Sequence, residues 1–124
     1  MIKLKRLYRS FTYSYRGLKK VFREEQNVRM QMIFGLATIL LALVFKIRPI
    51  EWCIIILSMG FVLLAETVNS AMERATDMLK PRISEYVKVI KDIMAAAVMI
   101  SAITAVMVGL IIFIPYILKF LRDF

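Results

Sequence analysis

Two glutamates and an asparagine stand at helical spacing where a long apolar run gives way to a charged one, within residues 66–92. Glu66, Asn69, Glu73 and Asp77 fall within one stripe about 80° wide, because successive helical residues are 100° apart. A carboxylate at membrane depth is costly, and a chain keeps one there mainly for function. Glu66 is therefore a candidate functional residue.

Carboxylate and amide oxygens at a membrane boundary suit a hard cation such as Mg²⁺, which binds one or two carboxylates together with substrate phosphates. Glu73 fits that role, and Glu25 can approach it from the N-terminal segment. Glu66, about 10 Å deeper along the helix, can take a proton from a hydroxyl group. Lys91 and Arg6 offer positive charge for phosphates. This set is compatible with phosphoryl transfer, which depends mainly on positioning and charge neutralisation.

The spacing alone leaves two other interpretations open. Glu66 and Asn69 can hydrogen-bond across helices and only hold an oligomer together, or the acids can line an ion- or proton-conducting bundle. The chain has no histidine and only four glycines, and it lacks the glycine-rich P-loop motif. A histidine base and a conventional nucleotide loop are therefore excluded. For Glu24 and Asp77 a solvated surface position is the expected one.

Composition indicates an integral membrane protein, because 60% of the residues are hydrophobic and they form long uncharged runs. The net charge of +9 does not indicate nucleic acid, since 9 of the 18 basic residues precede residue 30, beside the first apolar run. Basic residues in that position are typical of contact with anionic lipid. Cys53 is the only cysteine and lies in an apolar run, where inert packing is expected.

The apolar pattern predicts an all-α membrane domain over residues 1–124. Residues 1–29 alternate basic and apolar positions at helical spacing, which predicts an amphipathic surface helix with a candidate break at Gly17. Transmembrane helices are expected at about 30–46, 50–79 and 91–119, the second one extending into water with its acids. We expect no signal peptide.

The loop charges predict the orientation of the chain. Residues 1–29 and 73–92 hold 14 basic residues, whereas the turn at 46–51 and the C-terminal tail hold 4. The positive-inside rule then places the N-terminus in the cytoplasm. Three short spans bury little surface against each other, so an oligomer is expected.

Residues 65–73 (AETVNSAME) and 91–96 (KDIMAA) resemble the signature of the small prokaryotic diacylglycerol kinase and undecaprenol kinase family. Residues 11–18 (FTYSYRGL) and 24–29 (EEQNVR) are similar to the surface-helix motifs of that family. Residues 51–52 (EW) and 109–115 (GLIIFIP) resemble its undecaprenol-kinase, Gram-positive-type branch. The resemblance covers nearly the whole chain.

The resemblance implies a homotrimer of three-span chains in the bacterial plasma membrane, with active sites shared between neighbouring subunits. It implies that Glu66 is the catalytic base, that Glu25 and Glu73 bind the metal, and that Asn69 supports the site. The residues implied near ATP are Arg6, Tyr13, Glu25, Glu73, Lys91 and Asp92. The residues implied to line the lipid are Trp52, Glu66 and Ala95.

One departure from the family pattern concerns the connector before the last span. The family carries Glu-Tyr-His there, whereas this chain has Glu85-Tyr86-Val87, three positions later and without the histidine. No nucleotide contact is therefore assigned to residues 80–87.

The sequence thus predicts an ATP- and Mg²⁺-dependent lipid kinase that phosphorylates undecaprenol at the cytoplasmic face. The first alternative is a diacylglycerol kinase that makes phosphatidic acid. The second is a non-enzymatic conducting bundle. The expected partners are the lipid alcohol, ATP, membrane lipids and other copies of the chain, and not nucleic acid.

Overall fold

The computed structural model of the chain describes residues 1–79 and 84–124, and these residues form helices and short connections with no strand. This confirms the all-α fold predicted from the sequence. The helices in the described ranges are α1 Leu4–Glu24, α2 Gln26–Phe45, α3 Pro49–Asp77 and α4 Ser84–Arg122.

Helix α1 has the amphipathic pattern that the sequence predicts, and it runs without interruption through Gly17. The candidate break at Gly17 was therefore wrong, since a single glycine costs a helix only about 1 kcal/mol. Large apolar side chains of α1, including Leu7 and Phe11, are exposed in the single chain. Such a face is typical of a helix that lies on a membrane surface.

The helix is instead interrupted at Glu25, whose backbone is extended (φ −101°, ψ 112°). The last carbonyls of a helix lack partners within it, and here the guanidinium of Arg29 donates to the carbonyl oxygens of Phe22 and Arg23. Arg29 thus stabilises the end of α1 from the next helix. Helix α2 begins at Gln26, one turn before the span predicted from about residue 30.

Helices α2, α3 and α4 are the three helices in the described residues that are long and apolar enough to cross a membrane. They contain 20, 29 and 39 residues, and a span needs about 20. Helices α3 and α4 are therefore long enough to extend beyond the apolar layer. Helix α4 starts at Ser84, so residues 84–92 of the charged connector form its first turns, ahead of the span predicted from about residue 91.

Small side chains lie where the helices meet, and α3 packs most extensively against α4. Ala42, Ser70 and Ser101 are almost completely buried. On α2, a Cβ atom added at Gly35 would lie 2.7 Å from the Cε atom of Met59 on α3. The three alanines at 95–97 are exposed in the single chain. They remain available to lipid or to another copy.

The apolar core lies at one end of the helices, next to the tight turn between α2 and α3. We call this the turn end (residues 46–51), and we call the opposite end, around Glu25 and Asp77, the α1 end. Lys46 adopts the left-handed conformation (φ 50°) that closes the turn. Trp52 packs against the buried core cluster, whose members are Ala42, Ile47, Ile55, Ile112 and Phe113.

A buried carboxylate connects three segments at the turn end. Glu51 is only 8% exposed, and its Oε1 atom accepts hydrogen bonds from the backbone N–H of Arg48 (3.0 Å) and the Nε atom of Arg48 (3.3 Å). The hydroxyl of Tyr116 on α4 donates to the same oxygen. Glu51 therefore caps the start of α3 and links it to α4.

We predict that Tyr116→Phe lowers the free energy of unfolding by about 1–2 kcal/mol, because Glu51 stays buried with one donor fewer. Thermal unfolding of the purified protein in detergent measures this loss. Tyr86→Phe, at an exposed position of α4, is the matched control and should be close to wild type. Equal stability of the two variants would show that the Tyr116 hydroxyl contributes nothing.

Candidate active site

Glu25 meets α3 at the α1 end. The extended backbone at the α1–α2 junction presents its side chain to α3, and Glu25 Oε1 accepts a hydrogen bond from Ser70 Oγ at 3.0 Å. Ser70 is 1% exposed, so the contact is fixed by packing. Glu25 and Glu73 lie 48 positions apart in the sequence, and the fold brings Glu25 to the turn of α3 that precedes Glu73.

Glu66 lies deeper in α3 and is 3% exposed. Gln31 of α2 donates from Nε2 to Glu66 Oε1 at 2.9 Å. The carboxylates of Glu25 and Glu73 are close enough to interact electrostatically with it. The structure therefore brings the predicted base and the two predicted metal-binding acids into one region, with Glu66 deeper along α3 than Glu73.

Glu73 is half-buried on the same face of α3. Asn69 Nδ2 lies 3.4 Å from Glu73 Oε1, a weak contact between residues one turn apart. The Asn69 amide thus orients Glu73 in the single chain, which is compatible with the supporting role predicted for it.

The acids at and near this region fall into two groups by their partners. Glu24 forms an ion pair with Arg74, and Asp77 forms one with Lys91 at 2.7 Å. The hydrogen bond from Arg74 holds the pKa of Glu24 below its ordinary value, so the pair persists at neutral pH. By contrast, within residues 1–79 and 84–124, the three carboxylates of Glu25, Glu66 and Glu73 form no ion pair with lysine or arginine.

The donor set at the α1 end fits a Mg²⁺ ion that is held partly by its substrate. In the described residues no group of three or more acidic, histidine or cysteine side chains is arranged to hold a metal alone. Glu73 on α3 supplies one carboxylate, and Glu25, which contacts the preceding turn of α3 through Ser70, supplies a second; Mg²⁺ at phosphate sites commonly takes one or two. The remaining ligands would come from phosphate and water.

Lys91 lies near this region, because its partner Asp77 is one helical turn beyond Glu73. Asp92 is exposed beside it, and Ala95 is exposed one turn further along α4. These three residues, predicted near nucleotide and lipid, therefore share the α1 end with Glu73.

Three other predicted site residues lie far from Glu25, Glu66 and Glu73 within one chain. Arg6 and Tyr13 precede Glu24 on the continuous helix α1 by about 27 Å and 17 Å, at 1.5 Å per residue. Trp52 lies at the turn end, about 21 Å along α3 from Glu66.

Gln31 and Ser70 hydrogen-bond to the site acids Glu66 and Glu25, and the sequence analysis identified neither of them. Gln31 is the only amide in an otherwise apolar stretch of α2, a signal that could have identified it. Ser70 lies inside the recognised motif but carries no charge. Of the connector left unassigned at 80–87, residues 80–83 lie outside the described residues, and Tyr86 is exposed on the first turn of α4.

The fold and the site together define a multi-pass α-helical membrane protein, with three carboxylates at one end of its spans that have no ion-pair partner in the described part of the chain. Residues 12–113 match the family model for prokaryotic diacylglycerol kinase. The chain belongs to that family. It is a lipid kinase, and the family relation implies that it uses ATP.

Several characterised relatives support this assignment. The undecaprenol kinase of Bacillus subtilis (strain 168) is 30% identical over 112 residues, covering 90% of this chain and 91% of that protein. The diacylglycerol kinase of Helicobacter pylori (strain 26695) is 33% identical over 99 residues, covering 80% and 77%. The diacylglycerol kinase of Synechocystis is 31% identical over 111 residues, covering 89% and 63%.

Proposed function

We propose that the chain transfers the γ-phosphate of ATP to the terminal hydroxyl of undecaprenol at the α1 end. The observation that carries the proposal is the contrast between its acids. Glu24, Asp77 and Glu51 are each paired with a cation, whereas Glu25, Glu66 and Glu73 have no cationic partner among residues 1–79 and 84–124. Such a site favours binding of an external cation and a phosphate.

Glu66 acts as the general base. The hydroxyl oxygen of the lipid forms a bond to the γ-phosphorus while the bond from that phosphorus to the β,γ-bridging oxygen breaks. The bonding electron pair leaves with ADP, and the hydroxyl proton goes to the Glu66 carboxylate. Because Glu66 is almost fully buried on the membrane side of the site, it suits a lipid hydroxyl better than a freely diffusing water molecule.

Glu25 and Glu73 would hold Mg²⁺ together with the phosphates of ATP. The ion supplies neutralisation of the phosphate charge when it is bound. Within the chain, Ser70 positions Glu25 and Asn69 positions Glu73. Lys91, held by Asp77, and the neighbouring Asp92 are placed to contact the nucleotide.

An oligomer completes the site. Arg6 and Tyr13 lie too far along α1 to reach the carboxylates of their own chain, so we propose that they serve a neighbouring subunit in a homotrimer. Most large apolar side chains of α2 and α4 are exposed in the single chain, which supports contact with other copies as well as with lipid.

The α1 end faces the cytoplasm in this proposal. The basic residues of α1 and the connector support that orientation through the positive-inside rule. A cytoplasmic face also supplies ATP. The proposed location is the bacterial plasma membrane, with α1 on its inner surface.

Undecaprenol is proposed as the lipid because of the branch motifs at 51–52 and 109–115, and because the match to the Bacillus undecaprenol kinase spans nine-tenths of both chains. We propose that the exposed small residues at 95–97 line a narrow groove near the site, which would suit one polyprenyl chain slightly better than two acyl chains. Trp52, at the turn end, is proposed to line the lipid further from the reacting hydroxyl.

We predict ATP consumption that depends on a lipid alcohol, with a higher kcat/KM for undecaprenol than for diacylglycerol. Purified protein is assayed for ADP with each lipid in the same detergent and without lipid. A preference for diacylglycerol would overturn the assignment of undecaprenol as the substrate and leave the proposed kinase mechanism unchanged. No lipid-dependent turnover, together with ion flux in vesicles, would favour the conducting bundle.

We predict that Glu66→Gln lowers kcat by about 100-fold or more, because an amide cannot accept the hydroxyl proton. The variant should assemble normally, since glutamine retains size and hydrogen bonding. Asp123→Asn, an exposed acid near the C-terminus, is the control and should match wild type. An active Glu66→Gln variant would mean that Glu66 is structural.

We predict that Glu25→Ala and Glu73→Ala each raise the KM for Mg²⁺–ATP. The loss of Mg²⁺–ATP binding free energy in the double variant should be much smaller than the sum of the losses in the two single variants. Residues that share one ligand are coupled by about 0.5 kcal/mol or more. Steady-state kinetics at varied Mg²⁺–ATP measures the cycle. Fully additive losses would place the two acids in separate sites.

A further inference from the structure

Gln31 stands out because one end of its side chain is bonded and the other is not. Its Nε2 atom donates to Glu66 Oε1 at 2.9 Å, while its Oε1 atom is buried and has no hydrogen-bond partner among the described residues. A buried carbonyl oxygen without a donor is unfavourable. A residue kept in that arrangement within the uncharged part of α2, residues 30–45, requires an explanation.

The observed orientation is the one that an ionised Glu66 requires. A carboxylate only accepts hydrogen bonds, and the amide nitrogen is the end of Gln31 that can donate. With the amide reversed, two acceptor oxygens would face each other. Rotation of the amide by 180° exchanges the two ends, and the reversed form suits a protonated carboxyl group, whose O–H can donate to Gln31 Oε1.

We propose that Gln31 is a positioning residue for the base and that its amide serves Glu66 in both protonation states. Before transfer, Nε2–H holds the carboxylate towards the lipid hydroxyl. When Glu66 receives the hydroxyl proton, the amide reverses and Oε1 accepts a hydrogen bond from the new carboxyl O–H. The proton then leaves to water, and the amide returns to its first orientation. This inference rests on the proposed function.

The placement of Gln31 supports this role over a purely structural one. The contact joins α2 to α3, and it is the hydrogen bond that the described residues provide to the Glu66 side chain. A base held by a single donor depends on that donor for its geometry, and loss of near-attack geometry lowers the rate of the chemical step rather than ground-state affinity.

The test compares Gln31→Met with Thr38→Val. Methionine retains the length of glutamine but removes both polar atoms. Thr38 lies on the same helix, and its hydroxyl donates only to the backbone carbonyl of Phe34, so Thr38→Val also removes a polar group from α2 without touching the site. Lipid-dependent ADP formation gives kcat and the KM for ATP for each variant.

We expect Gln31→Met to lower kcat roughly 10- to 100-fold, the range for loss of a hydrogen bond to a charged group, with the KM for ATP unchanged. Thr38→Val should retain wild-type kcat. If Gln31→Met does not assemble, Gln31→Asn, which keeps the amide but shortens its reach, should still lower kcat severalfold at unchanged KM.

Wild-type kcat in Gln31→Met, or in Gln31→Asn where that variant is used, overturns the inference. A variant that only melts earlier, with full activity per assembled protein, overturns it too. Wild-type protein without lipid-dependent turnover overturns the proposed function as well, so the two failures are distinguishable.

Discussion

The placement of the Glu66 carboxylate inside an apolar helix is the constraint on which the α1 end depends. A buried ionisable group must be hydrogen-bonded, or it is strongly destabilising. Gln31 of α2 provides that hydrogen bond, which fixes the relative position of α2 and α3 at this depth. Nearer the surface, the hydrogen bond from Ser70 of α3 to Glu25 likewise joins a carboxylate of one segment to a polar side chain of another. The same two contacts therefore hold the helices together and fix the orientation of the Glu66 and Glu25 carboxylates.

Charge pairing separates the acids that support the fold from those proposed to act. Arg74 ties α1 to α3 through Glu24, and Lys91 ties α4 to α3 through Asp77. These pairs surround the site and neutralise their own acids. Among the described residues, the carboxylates of Glu25, Glu66 and Glu73 have no such lysine or arginine partner, which is the arrangement expected of a site that binds phosphate with a metal ion.

The two ends of the helices differ in how completely contacts within one chain enclose their polar groups. At the turn end, Glu51 is satisfied by Arg48 and Tyr116 and lies beside a packed apolar core. That end is closed by contacts within one chain. At the α1 end the polar groups are only partly enclosed, and exposed apolar faces flank them. A lipid kinase needs this asymmetry, because its substrate enters from the membrane while ATP arrives from water.

The sequence by itself determined the membrane class, the helical composition, the acidic stripe of α3 and the family resemblance. These follow from local composition and from spacing along one helix, and neither depends on the tertiary contacts of that helix. The interruption at Glu25 and the contacts of Gln31 and Ser70 with the acids were decided only by the tertiary structure. The amphipathic pattern runs on through residue 29 with no signal at Glu25, and the break there is stabilised by Arg29, which donates to carbonyls six and seven residues earlier. Gln31 and Glu66 lie 35 positions apart, so their contact exists only once the turn at residues 46–51 has set α2 against α3.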